Sequence, residues 1–238
     1  MSLIVFASVS GGSGCSTAAA HCAQLMQNAG YPTLAIDICD NNGLSLALGI
    51  DSFPETGWAK FEKKTEILNN AILEAPSGLK LIPRGFGKSE KLKDASILFN
   101  EILNKQAFQC IVDAGNIFSN YFNSISSKTD LLILSARAEY TSFLQLEHAI
   151  EKIISYNIPF RVLVGRYDVR RASQIEILKK ILKKWPDYVF LDIVHEDEQL
   201  ADSFNFGVSV HEIYPQAQSA HDLIGIFHNI CKILNDGR

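Results

Sequence analysis

The sequence has no Cys-x-x-Cys pair, and its five cysteines (15, 22, 39, 110 and 231) match no zinc-ligand spacing. That excludes a structural zinc module and a disulfide framework, and an odd set of thiols fits a reducing compartment. Cys22 and Cys110 stand in apolar surroundings, as buried thiols do. There is no excess of positive charge: the formal net charge is −4, which argues against nucleic-acid binding by the whole surface. No apolar run approaches the roughly 20 residues that cross a bilayer. The first apolar run is only about five residues long and no basic segment precedes it, so no signal peptide is expected. Repeats, low-complexity tracts and obvious linkers are also missing. What is there is 238 residues, 47% hydrophobic and 20% charged. That composition predicts one globular domain over residues 1–238, in the cytoplasm.

Short apolar runs alternate with helical patterns. Strands are expected at Leu3–Ala7, Thr33–Ile38, Leu79–Ile82, Cys110–Asp113, Leu131–Leu134, Phe160–Val164 and Tyr188–Val194. Helices are expected at Ser16–Asn28, Thr65–Leu73, Ser89–Lys105, Ser142–Ser155, Ser173–Lys184 and Ala217–Leu234. Unalternating strands separated by helices predict an α/β three-layer sandwich, P-loop NTPase-like, with a mostly parallel sheet of about seven strands. Ligands of such sheets bind at the carboxyl ends of the strands. Residues 41–64 form an irregular excursion beside that edge, a usual place for a switch or partner surface.

The informative segment is Ser10-Gly11-Gly12-Ser13-Gly14-Cys15-Ser16-Thr17. It joins an apolar strand to an Ala-rich helix, the layout that binds phosphate through backbone N–H groups and the positive end of the helix. Ser16 and Thr17 supply hydroxyls where a P-loop holds magnesium. The lysine of such loops is absent, and Cys15 stands in its place. An ordinary tight turn is the plain alternative. A dinucleotide-binding turn, with Asp37 on a ribose, is another; the third glycine of that fingerprint and a following Tyr-x-x-x-Lys are both missing. A cysteine-phosphatase loop would need an arginine where His21 stands. Asp113 closes the run Cys110-Ile111-Val112, which puts a carboxylate near a phosphate-bound magnesium.

These residues resemble the MinD/ParA class of deviant Walker A ATPases. Within it the chain is most similar to the cellulose-biosynthesis ATPase-like proteins of bacterial cellulose secretion operons, the BcsQ type. The family loop Lys-Gly-Gly-x-Gly-Lys-Thr-Thr corresponds to Ser10–Thr17, and the second-strand element to Ile36-Asp37-Ile38-Cys39. Gly57-Trp58-Ala59 resembles a Gly-Trp-Ala element of that group. Val194–Glu198 and Phe206–Glu212 resemble its C-terminal signature. Pilus-assembly relatives of the TadZ type are similar too, and Gly165–Arg171 is similar to their Asn-Arg-Tyr stretch.

The resemblance implies ATP and Mg2+ as ligands. Gly11, Gly12, Ser13, Gly14, Cys15, Ser16 and Thr17 would cradle phosphate. Ser16 would bind the metal, with Asp37 and Asp113 in its outer shell. Arg166, His195 and Glu196 would lie at the nucleotide, the last two bordering the base. The departures bear on turnover. Ser10 replaces the lysine that crosses a nucleotide-sandwich dimer, Cys15 the lysine on the β- and γ-phosphates, and Cys39 the aspartate that helps position water. Gly165 stands where an adenine-contacting Asn is expected. One lost Lys–phosphate contact, about 1.5–3 kcal/mol, weakens binding roughly tenfold to hundredfold.

The expected function is therefore an ATP-binding regulatory or scaffold component of a cellulose-secretion machine, with weak or absent hydrolysis. It would form a nucleotide-dependent homodimer, dock through protein contacts on the cytoplasmic face of the membrane complex, and bind no nucleic acid. Two alternatives are a slow ATPase that positions a pilus or other polar apparatus, and an interaction module that binds no nucleotide. His195-Glu196-Asp197-Glu198 reads as a metal site or, more simply, as a loop whose acidic residues start the next helix. The lysines of Ser173–Lys184 read as the solvated face of a core helix. The last helix reads as packed on the domain rather than on a membrane.

Overall fold

The computed structural model describes residues 2–50, 57–60, 70–86, 99 and 108–236. Its strands are β1 (Leu3–Ser8), β2 (Thr33–Asp37), β3 (Leu73–Glu74), β4 (Lys80–Ile82), β5 (Gln109–Asn116), β6 (Leu131–Arg137) and β7 (Phe160–Gly165). Its helices are α1 (Cys15–Asn28), α2 (Gly43–Ala47), α3 (Asn120–Ile125), α4 (Tyr140–Tyr156), α5 (Ala172–Lys184), α6 (Glu198–Ser203), α7 (Val210–Ile213) and α8 (Gln218–Asp236). The strands form one seven-stranded sheet in the order β3-β4-β2-β5-β1-β6-β7. Every neighbouring pair is parallel except β3 with β4.

The central strands are apolar on both faces because both faces are covered. All six residues of β1 are buried. Leu3, Val5 and Ala7 join the core shared with α4 and α5, while Ile4 and Phe6 join the core shared with α1 and α8. That alternation, with helices on each side, gives the three layers. Cys22 and Cys110 are buried thiols in these layers. α8 sets Leu223, Ile226, Phe227 and Ile230 into the core, so it packs on the sheet-covering layer. α5 buries Ile177, Leu178 and Ile181 and exposes Lys179, Lys180, Lys183 and Lys184, with Lys184 paired to Glu147.

Two expected elements differ, and a third lies almost wholly outside the described residues. Tyr188–Val194 is not a strand. It follows the edge of β7 only intermittently: Val162 N–H donates to the Tyr188 carbonyl (2.7 Å) and Phe190 N–H to the Val162 carbonyl (3.0 Å). Val194 then rejoins at the Val164 carbonyl (3.0 Å), so the segment carries a loop of extra residues against β7. Leu191 in that loop is 87% exposed, while Asp192 accepts from Asn229 of α8. The apolar run is real, but its middle leaves the ladder where Asp192 accepts from Asn229 of α8. The expected helix Thr65–Leu73 ends instead in β3 at Leu73, and its residues 65–69 lie outside the described residues. The expected helix Ser89–Lys105 also lies outside them except for Phe99, which is helical and fully buried.

His21 ties α1 to the first residue of α7. Val210 N–H donates to its Nε2 (3.0 Å), so Nδ1 carries the proton that reaches the Thr17 carbonyl (2.9 Å). Burial, opposed by the Thr17 bond, pulls its pKa down from 6.5 to about 4. Between those values the unfolded chain binds a proton that the native chain refuses. Native stability attributable to this site therefore falls as pH drops from about 6.5 to about 4, by up to roughly 3 kcal/mol. We expect the destabilisation caused by His21→Gln, measured by urea denaturation, to be largest above pH 7 and to shrink toward pH 4. A cost that stays constant over that range contradicts this account.

Candidate functional site

The carboxyl ends of β1, β2, β5 and β7 converge on one cavity of about 580 Å³, within the range of small-molecule sites. Its floor is the loop between β1 and α1. Gly12 (φ 71°) and Gly14 (φ 81°) take the left-handed backbone that glycine permits. Gly14 is the N-cap of α1, no side chain caps the helix, and its first turn holds no acidic residue. The first N–H groups of α1 thus lack side-chain acceptors, as in an anion site. A Cβ on Gly11 would meet nothing within 4 Å, so space above the loop is open. The Ser13 hydroxyl is buried with no hydrogen-bond partner. The loop is held from below: Val9 N–H donates to the Ser135 carbonyl (3.0 Å), and the Ser135 hydroxyl to the Ser13 carbonyl (3.1 Å). Ser10, in place of a lysine, binds the Ser142 hydroxyl of α4 (2.6 Å). Ser135 and Ser142 were not singled out in the sequence; the signal was a serine inside the apolar run of β6.

The parallel register of β2 and β5 aligns Asp37 with Asp113. Both carboxylates are fully buried, and with Cys39 each offers an atom within 4.8 Å of the others. Their bonding differs. One Asp37 oxygen accepts from Cys39 N–H (3.0 Å), and the other from Leu44 N–H (2.9 Å), Ser45 N–H (3.1 Å) and the Ser45 hydroxyl (3.3 Å). Asp37 therefore holds the start of α2 beside the cavity. Asp113 accepts at Oδ1 from Gly115 N–H (2.9 Å) and the Cys39 thiol (3.3 Å), with the Cys15 thiol at 3.9 Å. Its Oδ2 is buried without a regular hydrogen bond, with the Ser16 hydroxyl close enough to pull on the carboxylate. Burial first, then Asp113, pushes the Asp37 carboxyl up to about 7. Burial also raises Asp113, against the pull of Ser16, Gly115 and the two thiols.

Burial, then the charge of Asp113, drives the Cys15 thiol well above its usual range. That outweighs the helix end and keeps Cys15 a neutral thiol, unlike a phosphatase nucleophile. The Cys39 thiol is turned inward onto Asp113, at its carbonyl (3.2 Å) as well as its carboxylate. Ser16 lies against the opening of α2, where a Cβ on Gly43 would come within 2.6 Å of its hydroxyl. The donor set fits a divalent cation at the Ser16 hydroxyl and the unpartnered Asp113 oxygen. Asp37, whose oxygens are both engaged, anchors α2 beside this position.

Gly57-Trp58-Ala59 fastens this end of β2. Trp58 is buried, and its indole N–H donates to the Asp37 carbonyl (2.8 Å). A Cβ on Gly57 would lie 2.3 Å from the Arg84 carbonyl, so only glycine fits this approach.

The opposite wall follows β7. Arg166 has a left-handed backbone (φ 54°) and a two-bond pair with Glu196, at 2.9 and 2.7 Å. His195 donates its backbone N–H to Asp222 (3.0 Å), and its Nδ1 meets the same carboxylate (2.9 Å), which leaves Nε2 as the remaining ring nitrogen. Asp222 was not foreseen as a site residue; it lies 27 positions away, on α8. Asp197 caps α6 through Gln199 N–H (2.9 Å) and also accepts from Ser219. These partners make His195–Glu198 the start of a helix. Among the described residues the one cluster with metal-ligand spacing is Asp37, Cys39 and Asp113.

The family described as cellulose biosynthesis protein BcsQ matches residues 1–231. The virulence plasmid ParA family protein pGP5-D of Chlamydia muridarum is 24% identical over 250 residues, covering 98% of this chain and 93% of that protein. MinD of Pyrococcus horikoshii, solved with Mg-ADP, has a TM-score of 0.79 at 19% identity, covering 98% of each chain. The ATP complex of a Cyanothece McdA variant has a TM-score of 0.78 at 20% identity, covering 99% of this chain and 96% of that one. The MinC:MinD cell division complex of Aquifex aeolicus gives 0.78 at 19%, covering 98% and 96%. The fold is therefore that of the MinD/ParA ATPases, and with nearly its whole length matched, the chain belongs to the BcsQ family of cellulose biosynthesis proteins.

Proposed function

We propose that this chain is a magnesium-nucleotide-binding regulatory or scaffold component of a bacterial cellulose-secretion machine, with weak or absent hydrolysis. The observation that carries the reading is the unpartnered, fully buried Asp113 oxygen beside an open glycine loop. A buried carboxylate oxygen without a partner costs free energy unless a cation or water meets it. The loop N–H groups, the Ser13 hydroxyl and Thr17 would hold phosphates, Arg166 would lie at the nucleotide, and His195 and Glu196 would border its base. Solved relatives hold ATP or Mg-ADP on the same fold.

Magnesium, when bound, would neutralise phosphate charge. The chain's own residues give little further help to cleavage. Cys15 contributes no charge where a lysine would meet the transferred phosphate. Cys39 donates its proton to Asp113 rather than presenting a carboxylate to water. Transition-state charge and water positioning are the main contributions to phosphoryl transfer. Binding then acts by population shift: ATP must favour one assembly state, such as a homodimer or a partner complex at the membrane, over another. Among the described residues no helix is long and apolar enough to cross a membrane; in this reading the membrane complex is reached through protein contacts.

The test is equilibrium dialysis against Mg-ATP, followed by identification of the bound nucleotide after several hours. Recovery as ATP fits the reading. Recovery mainly as ADP, with continuing phosphate release, supports a slow ATPase instead. In the native host, cellulose secretion lost on deletion should return with the wild-type chain and not with a nucleotide-site variant.

A further inference from the structure

Among the described residues lining the cavity, Arg166 is the one arginine or lysine. Its side chain lies over the loop whose lysine is missing. A Cβ on Gly12 would be 3.8 Å from Arg166 Nη1, and one on Gly14 would be 3.9 Å from Arg166 Cγ. The guanidinium therefore stands over Gly12 and the aliphatic stem over Gly14, the two left-handed glycines of the loop. Its own left-handed backbone is uncommon for a residue with a side chain and costs free energy. The flanks hold it there: Tyr167 N–H donates to the Val194 carbonyl (3.0 Å), and Glu196 N–H to the Tyr167 carbonyl (2.9 Å). The same two bonds bring Glu196 onto the guanidinium.

We propose that Arg166 supplies, from β7, the phosphate-binding positive charge that the glycine loop lacks, and that Glu196 is the exchangeable partner that occupies it when no phosphate is present. The ligand class is the polyphosphate of a nucleotide. The inference rests on the nucleotide reading above. A guanidinium presents the same planar fork to a phosphate as to a carboxylate, so one replaces the other without moving the backbone. The pair suits exchange because both side chains are nearly half exposed, 48% and 43%, where an ion pair contributes little net stability. Phosphate and Glu196 then compete for one cation, and Glu196 sets the affinity. Binding also frees Glu196 next to Asp197, the cap of α6, so occupancy of the loop reaches the surface that α6 presents.

The experiment titrates Mg-ATP by calorimetry into the wild-type chain, Arg166→Asn, Arg166→Lys and Glu196→Gln, with melting of each nucleotide-free protein as the folding control. Asn tolerates the left-handed backbone. We expect Arg166→Asn to weaken ATP roughly tenfold to hundredfold with an unchanged melting temperature. Arg166→Lys, which keeps the charge and loses the fork, should fall between Arg166→Asn and the wild type, and Glu196→Gln should raise the affinity. Wild-type affinity in Arg166→Asn overturns the proposal while leaving the nucleotide reading intact. A fall in affinity in Glu196→Gln overturns the competition and makes Glu196 a positioning residue. No ATP binding by the wild type defeats the nucleotide reading itself.

Discussion

Asp113→Asn is expected to abolish magnesium-dependent nucleotide binding and, in the same protein, to raise the stability of the nucleotide-free state. The two effects have one cause. Asp113 is fully buried and one of its oxygens has no partner. Asp37, an aligned carboxylate with which it shares the buried site, adds repulsion. Asn keeps the acceptor for Gly115 N–H and removes the buried charge. The nucleotide-free protein should gain about 1–3 kcal/mol by urea denaturation. The gain from adding magnesium to an ATP titration should vanish, a loss of roughly tenfold to hundredfold. A variant that is less stable and still binds in a magnesium-dependent way would show that Asp113 is a structural residue.

The second large effect concerns Gly165. The MinD/ParA resemblance puts an adenine-contacting Asn here, so Gly165→Asn looks like a repair. The packing says otherwise. A Cβ at Gly165 would sit 2.2 Å from the Ser13 carbonyl, a backbone atom of the phosphate loop that Ser135 also holds (3.1 Å). A backbone neighbour between Gly12 and Gly14 cannot swing away as a side-chain tip would. We expect Gly165→Asn, and equally Gly165→Ala, to cost about 3 kcal/mol or more in thermal or urea unfolding. Nucleotide binding should be lost because the loop is displaced. A stable Gly165→Asn protein that binds ATP more tightly would mean that the loop tolerates the shift.

Much of the site was legible because it depends on local order. A strand, glycines and an Ala-rich helix state the loop directly. Asp37 and Asp113 each end an apolar run, and parallel pairing then puts them side by side. What escaped was set by partners distant in sequence. Asp222 carries no signal in the sequence, yet it is buried against His195. The pairing of Arg166 with Glu196 spans 30 positions and has no sequence pattern. The Tyr188–Val194 run has strand-like composition, and its middle leaves the sheet where Asp192 is bonded to Asn229 of α8, 37 positions away. Composition reports what a segment can bury, while distant contacts decide whether its backbone stays in register.

The most direct measurement is a calorimetric titration of the purified wild-type chain with Mg-ATP, repeated without magnesium. The account predicts saturable binding that tightens when magnesium is present, by a cradle that works without its lysine. No heat up to millimolar ATP in either titration would contradict it, and the glycine loop would then be a structural turn in a protein that acts through its partners alone.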